Sequence, residues 1–238
     1  MNRKKIISVI ALLCLLPTAI RAQGFYEQRI LYPIGTDNGK RVVTVFQTFN
    51  TSDERILANA MLWAINTTCA QERDQLFDIN VNRKTFSFNT TLEELDKGKT
   101  KYSFTCKVNI RVSEGKLVCT VYDISYKTGF ILASDFPLER LNDEKPKQKE
   151  VLNAFQRQTS GMLNLMFDAV AGNRCLPISH WNDIHLQRPV KGMNEAECLL
   201  AFGKPQSIYE PDANGVQWSY NLNFVLIFRN GQLATIIR

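Results

Sequence analysis

The run from Lys101 to Val121 constrains the fold more tightly than any other stretch of the chain. Tyr102, Phe104, Cys106, Val108, Ile110 and Val112 alternate without a break against Lys101, Ser103, Thr105, Lys107, Asn109 and Arg111. Successive side chains of a strand point to opposite faces, so this is a long strand with one dry face and one wet face. A Glu114-Gly115 turn then sets Val112 opposite Leu117, Ile110 opposite Cys119 and Val108 opposite Val121. Every apolar residue meets another on the same face, and a slip of one position would turn them all outward. A sheet with one wet face is antiparallel, and its dry face needs helices from elsewhere in the chain.

Those helices flank the hairpin. Arg41 to Phe49 is β-rich, with Val43, Val45 and Gln47 alternating against Val42, Thr44 and Phe46. Thr51-Ser-Asp-Glu54 reads as a capping box opening a helix, in which Ile56, Leu57, Ala60, Trp63 and Ala64 recur at helical spacing to about Asn66. A second β segment spans Thr85 to Thr91, with Phe86 and Phe88 alternating, and Phe130 to Ala133 supplies a further one. From Lys147 to Ala171 a long amphipathic pattern carries Val151, Leu152, Phe155, Met162, Leu163, Met166 and Val170, with Gly172 as its stop. This order predicts an α+β fold, an antiparallel sheet with a long helix packed on it. The Met- and Phe-bearing stripe reads as core, the alternative being the wall of a groove for a lipid-like molecule.

The VTVFQTF strand, the TSDERILANAMLWAIN helix, the KYSFTCKVNIRVSEGKLVCTVYDI hairpin and the long helix together resemble a family of exported bacterial domains of unknown function with a TBP-like fold. The resemblance covers residues 40–172. It implies a fold and an envelope setting, and no catalytic residue.

A second unit follows a Pro-punctuated stretch, residues 173–190, that reads as a linker with one helical turn. Asn194 caps a helix with Glu197 three residues on, Leu199, Leu200 and Phe202 carry its apolar side, and Gly203 with Pro205 ends it. β segments follow at Gln206–Glu210, Val216–Tyr220, Phe224–Phe228 and Leu233–Ile237, the last two joined by Asn230-Gly231. In that register Phe224, Leu226, Phe228, Leu233 and Ile237 share one face, and Val225, Ile227, Ala234 and Ile236 share the other. A sheet apolar on both faces needs two covers, and the short helix supplies only one. The other is the first unit, a second copy, or an envelope protein partner. Trp218, Tyr220, Phe224, Val225 and Ile227 are therefore the candidate partner-binding residues. The residues KGMNEAECLLAFGKP, QWSY and VLIFRNGQLATI make positions 191–238 similar to the SmpA/OmlA outer-membrane-assembly lipoproteins and the related β-lactamase-inhibitor-like repeats. That resemblance implies work through protein contacts in the envelope and no chemistry. The chain departs from the lipoproteins because Cys14 follows Leu12 and Leu13, where lipid attachment wants small residues.

The setting comes from residues 1–22. Arg3, Lys4 and Lys5 precede an apolar run from Ile6 to Leu16, Pro17 ends it, and Ala22 stands at a cleavage point before Gln23. That is the layout of a secretory signal peptide, so the expected location is the periplasm or cell envelope. The expected division is a signal peptide (1–22), a TBP-like domain (23–172), a linker (173–190) and an SmpA/OmlA-like unit (191–238). Cleavage removes Arg3, Lys4, Lys5 and Arg21, so 29 Lys and Arg become 25 against 23 Asp and Glu, and the net charge falls from +6 to +2. No electrostatic footprint for nucleic acid remains, and no later run is apolar enough to span a membrane. Among the remaining cysteines, Cys106 and Cys119 read as core, Cys198 lies on the short helix, and a Cys69–Cys175 bridge is left open. The chain has 2 histidines, His180 and His185, which with Cys175 make less than a zinc site. No nucleophile elbow, phosphate-binding loop or dinucleotide fingerprint is present. The expectation is therefore a non-catalytic protein, with no cofactor, no metal and no catalytic residue, that works by contacting another protein. Carriage of a lipid-like molecule is the alternative.

Overall fold

A computed structural model describes residues 30–67, 76–129, 134–172, 177–210, 215–221 and 223–238. The expected signal peptide, the expected strand at Phe130–Ala133, both cysteines of the open Cys69–Cys175 pairing and the start of the expected linker lie outside the described residues.

The first unit is an antiparallel sheet of seven strands: β1 (Gly35–Asp37), β2 (Lys40–Thr48), β3 (Leu76–Asn80), β4 (Thr85–Asp96), β5 (Lys99–Ser113), β6 (Lys116–Thr128) and β7 (Phe136–Pro137). Their spatial order is β1-β2-β6-β5-β4-β3, with β7 pairing β6. Helices α1 (Asp53–Thr67) and α2 (Pro146–Gly172) cover one face. The second unit comprises α3 (Trp181–His185), α4 (Glu195–Phe202) and a sheet of β8 (Ser207–Tyr209), β9 (Val216–Asn221), β10 (Phe224–Arg229) and β11 (Gln232–Ile237) in the order β11-β10-β9-β8. This is the α+β arrangement expected, a curled sheet under a long helix followed by a helix and a small sheet.

The central hairpin pairs as the alternation requires, Val112 with Leu117, Ile110 with Cys119 and Val108 with Val121. Glu114 and Gly115 both take positive φ, the backbone a two-residue turn needs to match strand twist. Beyond Val121 strict alternation would drive Asp123 into the core. A bulge prevents it: Tyr122 pairs with Lys107 while Ser125 pairs with Thr105, and Asp123 takes φ 48°. Asp123 thereby stays on the wet face, accepting Lys40 and Lys107 at 3.0 and 3.2 Å, and Ile124 returns to the core.

Four local expectations are corrected. The cap of α1 is Ser52, one residue later than Thr51, and its Oγ accepts the Arg55 N–H at 3.4 Å. Asp53 is thereby freed to hold the Gly115 N–H at 2.7 Å and the Lys84 ammonium at 3.0 Å, pinning the helix start to two hairpin turns. Strand β4 continues past Thr91 to Asp96 because β5 offers partners along its whole length. Gly172 is the last helical residue of α2 and is not among the positive-φ glycines, so it is no left-handed stop. In the small sheet, Leu226 pairs with Ile236 and Val225 with Ile237, because the ladder shifts between Ile227 and Phe228. That bulge exchanges the two residues: Ile236 joins the core face and Ile237 the opposite one.

Helix α1 is buried nearly all round, with Ala58, Met61 and Leu62 enclosed as well as the expected Ile56, Leu57, Ala60 and Ala64. It packs on the sheet, on α2 and on α4 of the second unit. The two units share one continuous apolar core. Lys204 also donates to the Asn66 carbonyl at 2.8 Å, at the otherwise orphaned C-terminal end of α1. The stretch read as a linker is packed too: Ile184 is buried, and Ile178 and Trp181 rest on the core.

Candidate interaction surface

The second unit is built around α4. Asn194 accepts the Glu197 N–H at 2.9 Å and Glu197 returns to the Asn194 N–H at 2.8 Å, so the predicted capping box is formed in full. Glu197 does more than the sequence pattern requires. Its other carboxylate oxygen accepts the N–H groups of Ser179 and His180 at 2.6 and 3.0 Å and faces His180 Nδ1 at 3.1 Å. A carboxylate only 1% exposed thus joins α4 to the start of α3. That bond network ends at Ser179 and at His180, which the sequence shows as part of less than a zinc site.

The apolar side of α4 meets the inward face of the small sheet. Trp218, Leu226, Phe228 and Leu233 are buried there, with Trp218 and Phe228 rings 4.6 Å apart. Tyr220 and Phe224 pack on Phe202 at the C-terminal end of α4, at 5.8 and 5.3 Å, and the Tyr220 hydroxyl donates to the Gly203 carbonyl at 3.1 Å. Burial, reinforced by the neighbouring Cys198, pushes the Tyr220 phenol well above its usual range, so it stays a neutral donor. The opposite side of the helix region rests on α1. The first unit therefore docks against the helix layer and does not cover the sheet's second face.

Of the five residues singled out from sequence, the structure brings two to that second face. Val225 and Ile227 alternate with the buried Leu226 and Phe228 and are absent from the residues packed on the core. Trp218, Tyr220 and Phe224 belong to the inward face and hold α4. Ile237, paired with Val225 and 48% exposed, joins the outward pair, as does Tyr209, paired with Gln217 and 63% exposed on edge strand β8. Sequence reasoning missed these two. Ile237 was assigned to the wrong face by the bulge, and Tyr209 lay in a segment too short to show a pattern.

The other candidate, a groove under α2, is filled by the chain itself. Phe155 packs on Phe104 at 5.4 Å, and Leu163 and Met166 are buried in the shared apolar core. Among the described residues no three His, Cys, Asp or Glu side chains gather at one point, and no helix is long and apolar enough to cross a membrane.

Among solved structures, the chain is similar to a TBP-like protein from Parabacteroides distasonis, with a TM-score of 0.50 at 17% identity over 58% of this chain and 96% of that one. The fold is TBP-like. A DUF4468 family protein from Bacteroides ovatus aligns at 13% identity over 60% of this chain and 94% of that one, with a TM-score of 0.45. No protein-family model and no curated protein matches the sequence.

Proposed function

We propose that the chain is an exported, non-catalytic envelope protein whose small C-terminal sheet presents its outward face to another protein. The observation that carries this reading is the grouping of Val225, Ile227, Ile237 and Tyr209 on the one face that neither α4 nor the first unit covers. A sheet face of aliphatic residues with an exposed tyrosine at its edge suits the centre of a protein contact. The likeness of residues 191–238 to SmpA/OmlA units and the signal-peptide layout of residues 1–22 support the same setting.

A photo-crosslinking residue at Ile227 in the full-length chain, expressed in its own cell, tests the proposal. A discrete crosslinked protein is expected, and Val225→Asp removes it while leaving urea stability within about 1 kcal/mol. Leu226→Asp, one residue away on the buried face, serves as the folding control and costs on the order of 4 kcal/mol. Unaltered crosslinking in Val225→Asp, or destabilisation equal to the control, overturns the reading. Recovery of the mature chain from the envelope fraction with Gln23 at its N-terminus is the companion expectation.

A further inference from the structure

Residues Ile30–Ile34 form a strap that runs along α2 and is held by side chains of that helix. Three side chains of α2 spaced four residues apart, Gln156, Ser160 and Asn164, all engage the strap's main chain. Gln156 Nε2 donates to the Tyr32 carbonyl at 3.0 Å, Ser160 Oγ accepts the Tyr32 N–H at 2.9 Å, and Asn164 Nδ2 donates to the Ile30 carbonyl at 2.9 Å. Four helical residues rise about 6 Å, close to the roughly 6.6 Å between alternate residues of an extended chain, so one helix stripe can follow an extended backbone. One side chain supplies specificity. The Tyr32 ring sits edge-on against Phe167 at 6.2 Å, and its hydroxyl donates to Asn164 Oδ1 at 2.9 Å. Pro33 confines Tyr32 to extended backbone, so the strap is shaped before it docks.

Of the other strap side chains Ile34 packs on the core, whereas Ile30 and Leu31 are 66% and 56% exposed. With the strap in place Ser160 and Phe167 are both buried. The strap is held by the Tyr32 anchor, the packing of Ile34 and these few main-chain bonds.

We propose that the Gln156-Ser160-Asn164 stripe with Phe167 is a peptide-binding site that takes an extended segment with a tyrosine before a proline, filled in this chain by its own residues 30–34 and able to accept the same segment of a second copy. The segment of a second copy reproduces every contact named above without a new surface, and it does not depend on the outward face of the small sheet.

Two measurements on the full-length chain test it. In the unaltered protein, hydrogen exchange at the Tyr32 amide should proceed through a local opening with little urea dependence, while the Val108 amide exchanges through global unfolding. A Tyr32 amide that follows the urea dependence of Val108 shows an inseparable strap and overturns the proposal. With the chain carrying Tyr32→Ala, a labelled synthetic peptide of residues 30–34 should bind saturably. The same peptide with phenylalanine for tyrosine should bind about 5-fold more weakly, the loss of one hydrogen bond. Asn164→Ala in the receptor chain should bring the two peptides to within about 2-fold of each other. No saturable binding to a folded Tyr32→Ala chain, or equal binding of a peptide with alanine at that position, refutes the site. Should Tyr32→Ala not fold, the exchange measurement alone decides.

Discussion

Replacing Glu197 offers the sharpest test of how the second unit is held. The carboxylate is fully enclosed and accepts three main-chain N–H groups, those of Ser179, His180 and Asn194, besides facing His180 Nδ1. Glu197→Ala leaves these donors without an acceptor in a space that water can only partly enter. A hydrogen bond to a charged group contributes about 1.5–3 kcal/mol, and partial hydration of the orphaned donors recovers some of that. The expected cost is about 3–5 kcal/mol, a large share of the stability of a chain this size. Glu197→Gln keeps the shape but presents an amide N–H₂ to at least one of the donors, so about 2–3 kcal/mol is expected. Asn194→Ala removes the cap and leaves the carboxylate in place, and should cost only about 1 kcal/mol. Equilibrium urea unfolding followed by tryptophan fluorescence suits the comparison, because Trp181 and Trp218 lie in the second unit and Trp63 on α1. The order Ala, then Gln, then Asn194→Ala is the expected ranking. A Glu197→Ala loss below about 1 kcal/mol, or no larger than that of Asn194→Ala, would refute the junction described above.

Two further predictions rest on named groups. Asp53 is held below the usual carboxylate value of 3.8 by the Gly115 N–H first and by Lys84 second. A depressed carboxyl contributes stability that is present above its unfolded value and lost as pH falls through the folded one. Stability against urea should therefore drop as pH goes below about 4, and Asp53→Asn should flatten that part of the profile and cost about 1 kcal/mol at neutral pH; an unchanged acid limb would count against the role given to this corner. Burial pushes the Cys106 thiol up to about 12 and raises Cys119 and Cys198 as well. Alkylation at pH 8 followed by mass mapping should leave all three unmodified in the native chain and modify them in denaturant, and rapid native labelling of Cys106 or Cys119 would contradict the packing of the central hairpin.

How far the sequence could be read depended on whether a signal was local. The hairpin of β5 and β6 was legible from its Glu114-Gly115 turn as far as Val121, because each face there is defined by a period of two. The capping box at Asn194 was legible because both of its partners lie within four residues. The bulges at Asp123 and beside Phe228 were not, since a bulge changes parity without changing residue type, and the second of them moved Ile237 to the outward face. The hidden extent of α1 left a trace, the apolar run ILANAMLWAI, which is wetter on neither side than a surface helix should be.

The sequence by itself determined which residues alternate, where helices begin, and that the small sheet has two apolar faces. It could not determine which cover went where. Whether α4 turned its second side to α1, whether Glu197 reached back to Ser179 and His180, and whether residues 30–34 lay along α2 were decided only in the tertiary structure. The reason is physical: alternation and capping are encoded over a few neighbouring residues, whereas docking joins surfaces far apart in the chain, and their complementarity exists only once both have folded.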